Sequence, residues 1–324
     1  MSLLRVQGLT LDVPVDTGHG RILHGIDLTV EEGAAVGIVG ESGSGKSMTV
    51  RTVAGLLPPG ARTSGTVSFE GEQVTDMSLS RLRRYRSSQV AMIFQDPRAA
   101  INPVRKVGDF LLENAITNLG WSKARAQEKA IEVLRDVGIT DPERRLTAYP
   151  SELSGGLLQR VMIASTLLYE PELLLADEPT TALDVTTQST VMALIDRLRR
   201  ERRMAMVFVT HDLELAAAVC DTIYVMYAGR IVEIIPADEL HEQSRHPYTH
   251  ALLDARPRLD GREERLRAIP GQPLSGLEDV TGCAFAARCP FAMDLCRTDE
   301  PPVVTVGAGE VRCHRAHDHL WELP

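Results

Sequence analysis

Gly40-Glu41-Ser42-Gly43-Ser44-Gly45-Lys46-Ser47 fills the pattern G-x-x-x-x-G-K-[ST] at every fixed position. The apolar run Ala34-Ala35-Val36-Gly37-Ile38-Val39 precedes it, and a stretch free of Pro and Gly follows from Ser47 to Ala54. The motif therefore sits between a predicted strand and a predicted helix, the context its chemistry needs. Gly40, Gly43 and Gly45 let the backbone bend until successive N–H groups point inward, and a helix beginning near Lys46 adds its positive end. A polyphosphate fits such a cradle. Lys46 is expected to reach the β- and γ-phosphates as a point charge, and the Ser47 hydroxyl to ligate a magnesium ion bridging them. A bare glycine-rich turn would explain the glycines, but not a lysine and then a hydroxyl directly after the last of them.

Upstream, Leu3 to Leu11 and Ile26 to Val30 partly alternate apolar with polar residues around the turn-prone Asp16-Thr17-Gly18-His19-Gly20, and read as antiparallel strands. Downstream, Pro58-Pro59-Gly60 stops the first helix, Gly65 to Phe69 reads as a strand, and Arg81 to Arg86 reads as a charged connector. Val90-Ala91-Met92-Ile93-Phe94 is a buried-strand pattern that carries Gln95 at its end. From about Val107 to Leu168 the period becomes helical, with Ser122 as N-cap of a helix running to Val137. Leu173-Leu174-Leu175-Ala176 leads into Asp177-Glu178-Pro179, and Met206-Val207-Phe208-Val209-Thr210 leads into His211-Asp212. Ligands of open parallel α/β sheets bind at the carboxyl ends of the strands, so Gln95, Asp177, Glu178 and His211 are expected to converge on the nucleotide. Ile223–Val225 and Ile231–Ile234 form a predicted hairpin, and beyond Pro236 the composition shifts toward Pro, Arg and His.

The chain has 324 residues, of which 44% are hydrophobic, enough for a substantial core in one large domain or two. A formal net charge of −9 argues against a general nucleic-acid binder. No apolar run approaches the roughly 20 residues that cross a bilayer, and Met1-Ser2-Leu3-Leu4-Arg5-Val6 has no signal-peptide pattern. A cytoplasmic location is expected. Four of the five cysteines, Cys283, Cys289, Cys296 and Cys313, cluster near the end, which suggests a local cross-link or metal site; Cys220 reads as a small core residue.

An acidic pair ending an apolar strand suits phosphoryl transfer: Asp177 can hold magnesium, directly or through water, while Glu178 orients or deprotonates the attacking water. Leu153-Ser154-Gly155-Gly156-Leu157-Leu158-Gln159-Arg160 is a second candidate anion site, with Ser154 as N-cap and two glycines at a helix start. It reads either as a capped helix or as a cradle for a nucleotide held by another subunit.

The phosphate loop, Gln95, the Leu153–Arg160 segment, the Leu173–Pro179 segment, Thr181-Ala182-Leu183-Asp184 and His211, in this order, resemble the ATP-binding subunit of ATP-binding cassette (ABC) transporters. The resemblance covers residues 1 to about 240. It implies a P-loop NTPase α/β core with an antiparallel β-subdomain and an inserted helical subdomain at about 100–168. It also implies head-to-tail pairing with a second ATPase chain, a copy or a related one, so that each ATP lies between one phosphate loop and the partner's signature segment. On that likeness Ser154, Gly155, Gly156 and Gln159 act in trans, Asp184 links the two sites, and His211 senses the γ-phosphate. Gln95 joins Ser47 and Asp177 around magnesium and acts with Glu178 and His211 in catalysis, and with the helical insert relays motion to the membrane subunits. Two departures stand out: no aromatic accompanies Leu11-Asp12-Val13, where the family usually stacks adenine, and Leu157-Leu158 replaces the common Met-Arg.

His246-Pro247-Tyr248-Thr249-His250-Ala251-Leu252-Leu253, Ile269-Pro270-Gly271 and Gly282-Cys283 to Cys289-Pro290, followed by Cys296 and Cys313, resemble the C-terminal region of oligopeptide and dipeptide importer ATPases. The expected organisation is a cassette at 1–244 and a small cysteine-containing C-terminal extension at 245–324. The likeness implies ATP-driven import of peptides, or of nickel or another small solute. Its implied partners are two transmembrane permease subunits and an extracytoplasmic substrate-binding protein, with the chain peripheral on the cytoplasmic face of the membrane. A soluble cassette of DNA repair or translation lacks support, since neither long coiled coils nor a second cassette is present. An iron–sulfur regulatory module with vestigial hydrolysis is opposed by the intact Lys46, Glu178 and His211. For the cysteines, disulfides are disfavoured in a reducing cytosol, and the ligand spacing is longer than structural zinc usually takes. Four thiolates can hold an iron–sulfur cluster, similar importer ATPases carry a 4Fe-4S cluster there, and zinc or unligated thiols remain alternatives. His314, His317 and His319 read as a solvated tail.

Overall fold

The strand, loop and helix expected around residue 40 are present in the structure, a computed structural model that describes residues 2–16, 18–180, 185–255, 269–278 and 280–318. In chain order the strands are β1 (Ser2–Val15), β2 (Gly18–Glu31), β3 (Ala35–Val39), β4 (Arg62–Phe69), β5 (Glu72–Gln73), β6 (Val90–Ile93), β7 (Leu173–Asp177), β8 (Ala205–Thr210), β9 (Thr222–Tyr227), β10 (Arg230–Pro236), β11 (Val303–Val306) and β12 (Gly309–Arg312). The helices are α1 (Lys46–Val53), α2 (Leu79–Arg84), α3 (Pro97–Ala100), α4 (Val107–Thr117), α5 (Lys123–Asp136), α6 (Pro142–Thr147), α7 (Gly155–Leu167), α8 (Val185–Arg202), α9 (Leu213–Val219), α10 (Leu240–Gln243), α11 (Pro247–Asp254) and α12 (Asp294–Thr298). Contacts divide the chain into two units: Met1–Leu3 with Val30–Ala34 and Phe69–Phe208, and Leu4–Thr29 with Ala35–Ser68 and Val209–Pro324.

In the first unit β6 and β7 pair in parallel, from Val90 opposite Leu173 to Ile93 opposite Ala176. Every residue of β7 is buried, as expected of a parallel strand covered on both faces. The helical segment forms α4 to α7. The Ser122 hydroxyl caps α5 by accepting from the Arg125 N–H at 3.2 Å, and Ala126, Ala130, Val133 and Leu134 form its buried stripe. The stretch expected to be a charged connector is instead helical: α2 runs into a π-helical turn at Tyr85–Gln89. Ser78 caps it, Arg81 ties Glu72 at 2.8 Å to Gln89 at 2.6 Å, and the fully buried Tyr85 ring meets Phe69 edge-on at 5.2 Å. One aromatic anchor and a cap fix this helix, so no apolar stripe announces it.

In the second unit β3 is buried throughout and pairs in parallel with β9. Gly37 lets α9 lie close, since a Cβ there would stand 3.2 Å from the Ala216 Cβ and 3.3 Å from the Cys220 sulfur. Cys220 is thus a small buried packing residue. The β9–β10 hairpin is antiparallel, and β12 extends it by pairing Glu233 with Val311 and Ile234 with Glu310, with β11 beyond. The buried Glu233 carboxylate accepts from the backbone N–H groups of Arg245 and His246 and from the Thr249 hydroxyl, which fixes the start of α11. Burial raises its pKa to about 7 against the lowering effect of those donors, while burial pushes the His246 imidazole down to about 3.

Candidate nucleotide site and cysteine-lined cavity

The phosphate loop lies wholly in the second unit. Gly40, Gly43 and Gly45 take φ values of 156°, 82° and 105°. At Gly40 a Cβ would fall 2.1 Å from the Met226 carbonyl oxygen, so only glycine fits. The Gly229 N–H donates to the Ser44 carbonyl at 2.9 Å, which seats the loop on the β9–β10 turn. Lys46 is buried, and its ammonium donates to the carbonyls of Gly40 at 2.8 Å and Glu41 at 2.9 Å. This folds the charge across the mouth of the loop, which fits a polyphosphate: the cradle offers N–H groups and a cation held in place. Ser42 and Gly43 are exposed, and Ser47, directly after Lys46 in α1, is half-buried.

Two residues unassigned by the motif hold this loop from outside. The Glu41 N–H donates to the Tyr248 hydroxyl at 2.8 Å, and the Arg288 guanidinium donates to both Glu41 carboxylate oxygens at 2.6 and 3.1 Å. Burial opposes the charge on Arg288, yet the hydrogen bonds it donates to Glu41 keep its pKa above the ordinary arginine value. His211 follows β8 and is exposed, and the Asp212 carboxylate next to it caps α9 through the Leu215 N–H at 2.8 Å.

In the first unit the structure joins two predicted catalytic residues directly: the Gln95 amide donates to a Glu178 carboxylate oxygen at 3.0 Å. Glu178 takes φ 46°, a left-handed conformation that costs a non-glycine residue about 1–3 kcal/mol and concentrates at working sites. Asp177, the last residue of β7, has no exposed surface. Gln159 is buried, and its amide donates to the Pro179 carbonyl, fixing α7 to the turn after Glu178. At the start of α7 Ser154 accepts from the Leu157 N–H at 3.3 Å. Ser154 and Gly155 are exposed, and a Cβ on Gly155 would meet nothing within 4 Å. Leu158 is buried, so one of the two leucines in this segment contributes packing. Asp184, with Thr181, Ala182 and Leu183, lies outside the described residues.

Leu11 of the first strand is fully buried and Asp12 pairs with Arg21 at 2.7 Å, so neither supplies a flat face for a base. In the extension Cys283, Cys289, Cys296 and Cys313 all line one open cavity together with Phe285 and His314. None of the described cysteines forms a disulfide. Burial first, and then neighbouring thiols, push Cys283, Cys289 and Cys313 up to about 11. Backbone N–H groups of Met293 and Arg315 point at the sulfurs of Cys296 and Cys313 at 3.5 and 3.4 Å. Among the described residues no group of three or more His, Cys, Asp or Glu side chains stands in a metal-binding arrangement. His314 belongs to this cavity rather than to a solvated tail, its ring nitrogen meeting the Asp299 carbonyl at 2.9 Å; His317 is exposed, and His319 lies outside the described residues.

Sequence motifs reached the loop and the Asp177-Glu178 pair because the chemistry sits in contiguous residues. Tyr248 and Arg288 lie 207 and 247 positions from Glu41, and no local signal ties them to it. Among the described residues no helix is long and apolar enough to cross a membrane.

Comparison with known proteins agrees with this geometry. Residues 23–181 match the family model described as ABC transporter, and residues 232–296 match the one described as oligopeptide/dipeptide transporter, C-terminal region. The chain is 46% identical to the probable peptide ABC transporter ATP-binding protein y4tR of Sinorhizobium fredii, over 98% of this chain and 96% of that one. It is 42% identical to the oligopeptide transport ATP-binding protein OppD of Salmonella typhimurium, over 98% and 95%. Among solved structures, the ATP-binding cassette MJ0796, a dimer in a post-hydrolysis state bound to ADP and Pi, superposes with TM-score 0.64 at 27% identity, over 72% of this chain and 98% of that one.

Proposed function

This chain belongs to the ATP-binding proteins of ABC transporters, and we propose that it hydrolyses ATP to drive an importer of oligopeptides or dipeptides. The observation that carries the hydrolytic reading is the Gln95 amide on the Glu178 carboxylate at 3.0 Å, which pairs a base with a group that orients water. The loop from Gly40 to Ser47 binds the phosphates through its N–H groups and the Lys46 ammonium. Glu178 takes the proton of the attacking water, Gln95 orients that water, and His211 donates to the γ-phosphate. Magnesium, when bound, neutralises charge on the β- and γ-phosphates. Ser47, Asp177 and Gln95 would hold it, oxygen donors that suit a hard cation.

The exposed start of α7, with Ser154, Gly155 and Gly156, binds the nucleotide held by a second ATPase chain, and Asp184 joins the two sites. Two membrane-spanning permease subunits and an extracytoplasmic peptide-binding protein complete the assembly, and this chain sits on the cytoplasmic face of the membrane. The chain divides into a cassette at 1–244, with its helical insertion near 100–168, and an extension at 245–324. The peptide assignment is supported by the match of residues 232–296 and by the names of the relatives.

The four thiols that line one cavity suit a 4Fe-4S cluster in donor type and number, and such a cluster would act there as a structural cross-link. Anaerobically purified chain is expected to be brown and to contain iron; colourless, iron-free protein would overturn the cluster. For hydrolysis, Glu178→Gln is expected to lose about 10² to 10⁴-fold in turnover with ATP binding retained, the usual size of a general-base contribution. Turnover within tenfold of the parent would remove Glu178 from that role.

A further inference from the structure

We propose that Tyr248 and Arg288 are positioning residues of the phosphate loop, which they hold through the backbone N–H and the carboxylate of Glu41. The inference rests on the ATP-binding reading of that loop. Glu41 is the first variable residue of the motif, and both of its polar ends are occupied by the extension: the N–H by the Tyr248 hydroxyl and the carboxylate by a two-pronged ion pair with Arg288.

Both holders are themselves fixed. The Arg288 side chain is 4% exposed, its Nε donates to the Pro270 carbonyl at 2.8 Å, and its guanidinium lies 5.8 Å from the centre of the Tyr227 ring. Tyr248 has no exposed surface and meets Tyr227 edge-on at 4.7 Å and Phe285 at 5.2 Å. Tyr227 directly follows Met226, whose carbonyl and methyl group bound the loop at Gly40 and Gly45. Floor and clamp therefore belong to one packed cluster.

The clamp acts on binding in two ways. A loop already ordered loses less conformational freedom when the phosphates arrive. The Arg288 charge also neutralises a carboxylate that would otherwise repel a polyanion one residue from the cradle. Arg288 immediately precedes Cys289, and Phe285 lines the cysteine cavity, so disturbance of that cavity reaches the loop through this pair.

The test is equilibrium binding of a fluorescent ATP analogue with magnesium to the full chain, alongside the melting temperature without nucleotide and the ATPase kcat and KM. Tyr248→Phe, which removes only the hydroxyl, and Arg288→Ala are each expected to raise Kd and KM about tenfold, because each leaves a loop group without its partner. kcat at saturating ATP should stay within about twofold, since the hydrolytic groups are untouched. Arg288→Lys keeps the charge but loses the two-pronged geometry, and should recover only part of the loss. Where Arg288→Ala fails to fold, Tyr248→Phe and Arg288→Lys still decide the matter. Unchanged Kd in well-folded Tyr248→Phe together with either Arg288 variant overturns the clamp. Equal loss of kcat at unchanged Kd also overturns it. Parental chain that neither binds nor hydrolyses ATP would instead overturn the reading of the loop itself.

Discussion

Two helix starts in this molecule are assigned to phosphate groups in the proposed function, and they are built differently. The one at α1 opens on the buried Lys46, follows three glycines with positive φ and is held by residues more than 200 positions away. The one at α7 is exposed, capped by its own Ser154, and presents Gly155 to open space. A site completed inside the chain needs tertiary support for its shape, because its N–H groups must converge on one ligand. A site that meets a ligand carried by another molecule needs a clear face and a stable cap. The difference fits the proposed arrangement, in which each nucleotide uses one such segment from each of two chains.

The contrast breaks most visibly at Gly155. Gly155→Asp places a carboxylate in the first turn of α7, where it favours the helix dipole. The melting temperature should hold or rise slightly while ATPase turnover in the assembled complex falls about a hundredfold, because like charges brought together cost several kcal/mol. Parental turnover in this variant would mean that the α7 start faces no nucleotide. At the other helix, Lys46→Ala should weaken ATP binding about 10- to 100-fold in the isolated chain, the worth of a charged hydrogen bond. Gly155→Asp should leave isolated-chain binding unchanged. Titration of both variants with labelled ATP separates a site that works in one chain from one that needs two.

The support around the inner site has its own pH signature. Glu233 has a folded-state pKa raised from 4.5 to about 7, chiefly by burial, so its stabilising protonated form is fully present below about pH 4.5. That contribution is lost as pH rises through about 7. His246 runs the other way: its pKa is lowered from 6.5 to about 3, so the folded state gains stability as pH rises toward 6.5. Between about pH 4.5 and 7 the Glu233 contribution falls while the His246 contribution rises, so the Glu233 share is read as the melting temperature of the parent minus that of Glu233→Gln, a difference that should fall by a few degrees across that window. A difference that stays constant with pH, followed by circular dichroism, would place the effect elsewhere.

How much of this was legible depended on whether a feature was local. The phosphate loop, the caps at Ser122 and Ser154 and the placement of Gln95 after β6 could be read because hydrogen-bonding side chains and glycines act on their immediate neighbours. The helix α2 was not readable, since its arginines carry no apolar period and Tyr85 alone anchors the π-helical turn at its end. Val303–Val306 and Gly309–Arg312 join the sheet through β10, a pairing decided by residues some seventy positions earlier. The hold of Arg288 on Glu41 is of the same kind: both residues look like ordinary surface charges until folding brings them to 2.6 Å.

The comparison between the two helix starts turns on whether two chains close over one ATP. The most direct test is the solution mass of the Glu178→Gln protein, alone and with its co-expressed companion ATPase, measured by light scattering with and without ATP and magnesium. ATP is expected to shift the mass to a pair of cassettes, and Gly155→Asp in the same background to abolish the shift. A chain that stays single under every one of these conditions, with ATP bound, would contradict the account.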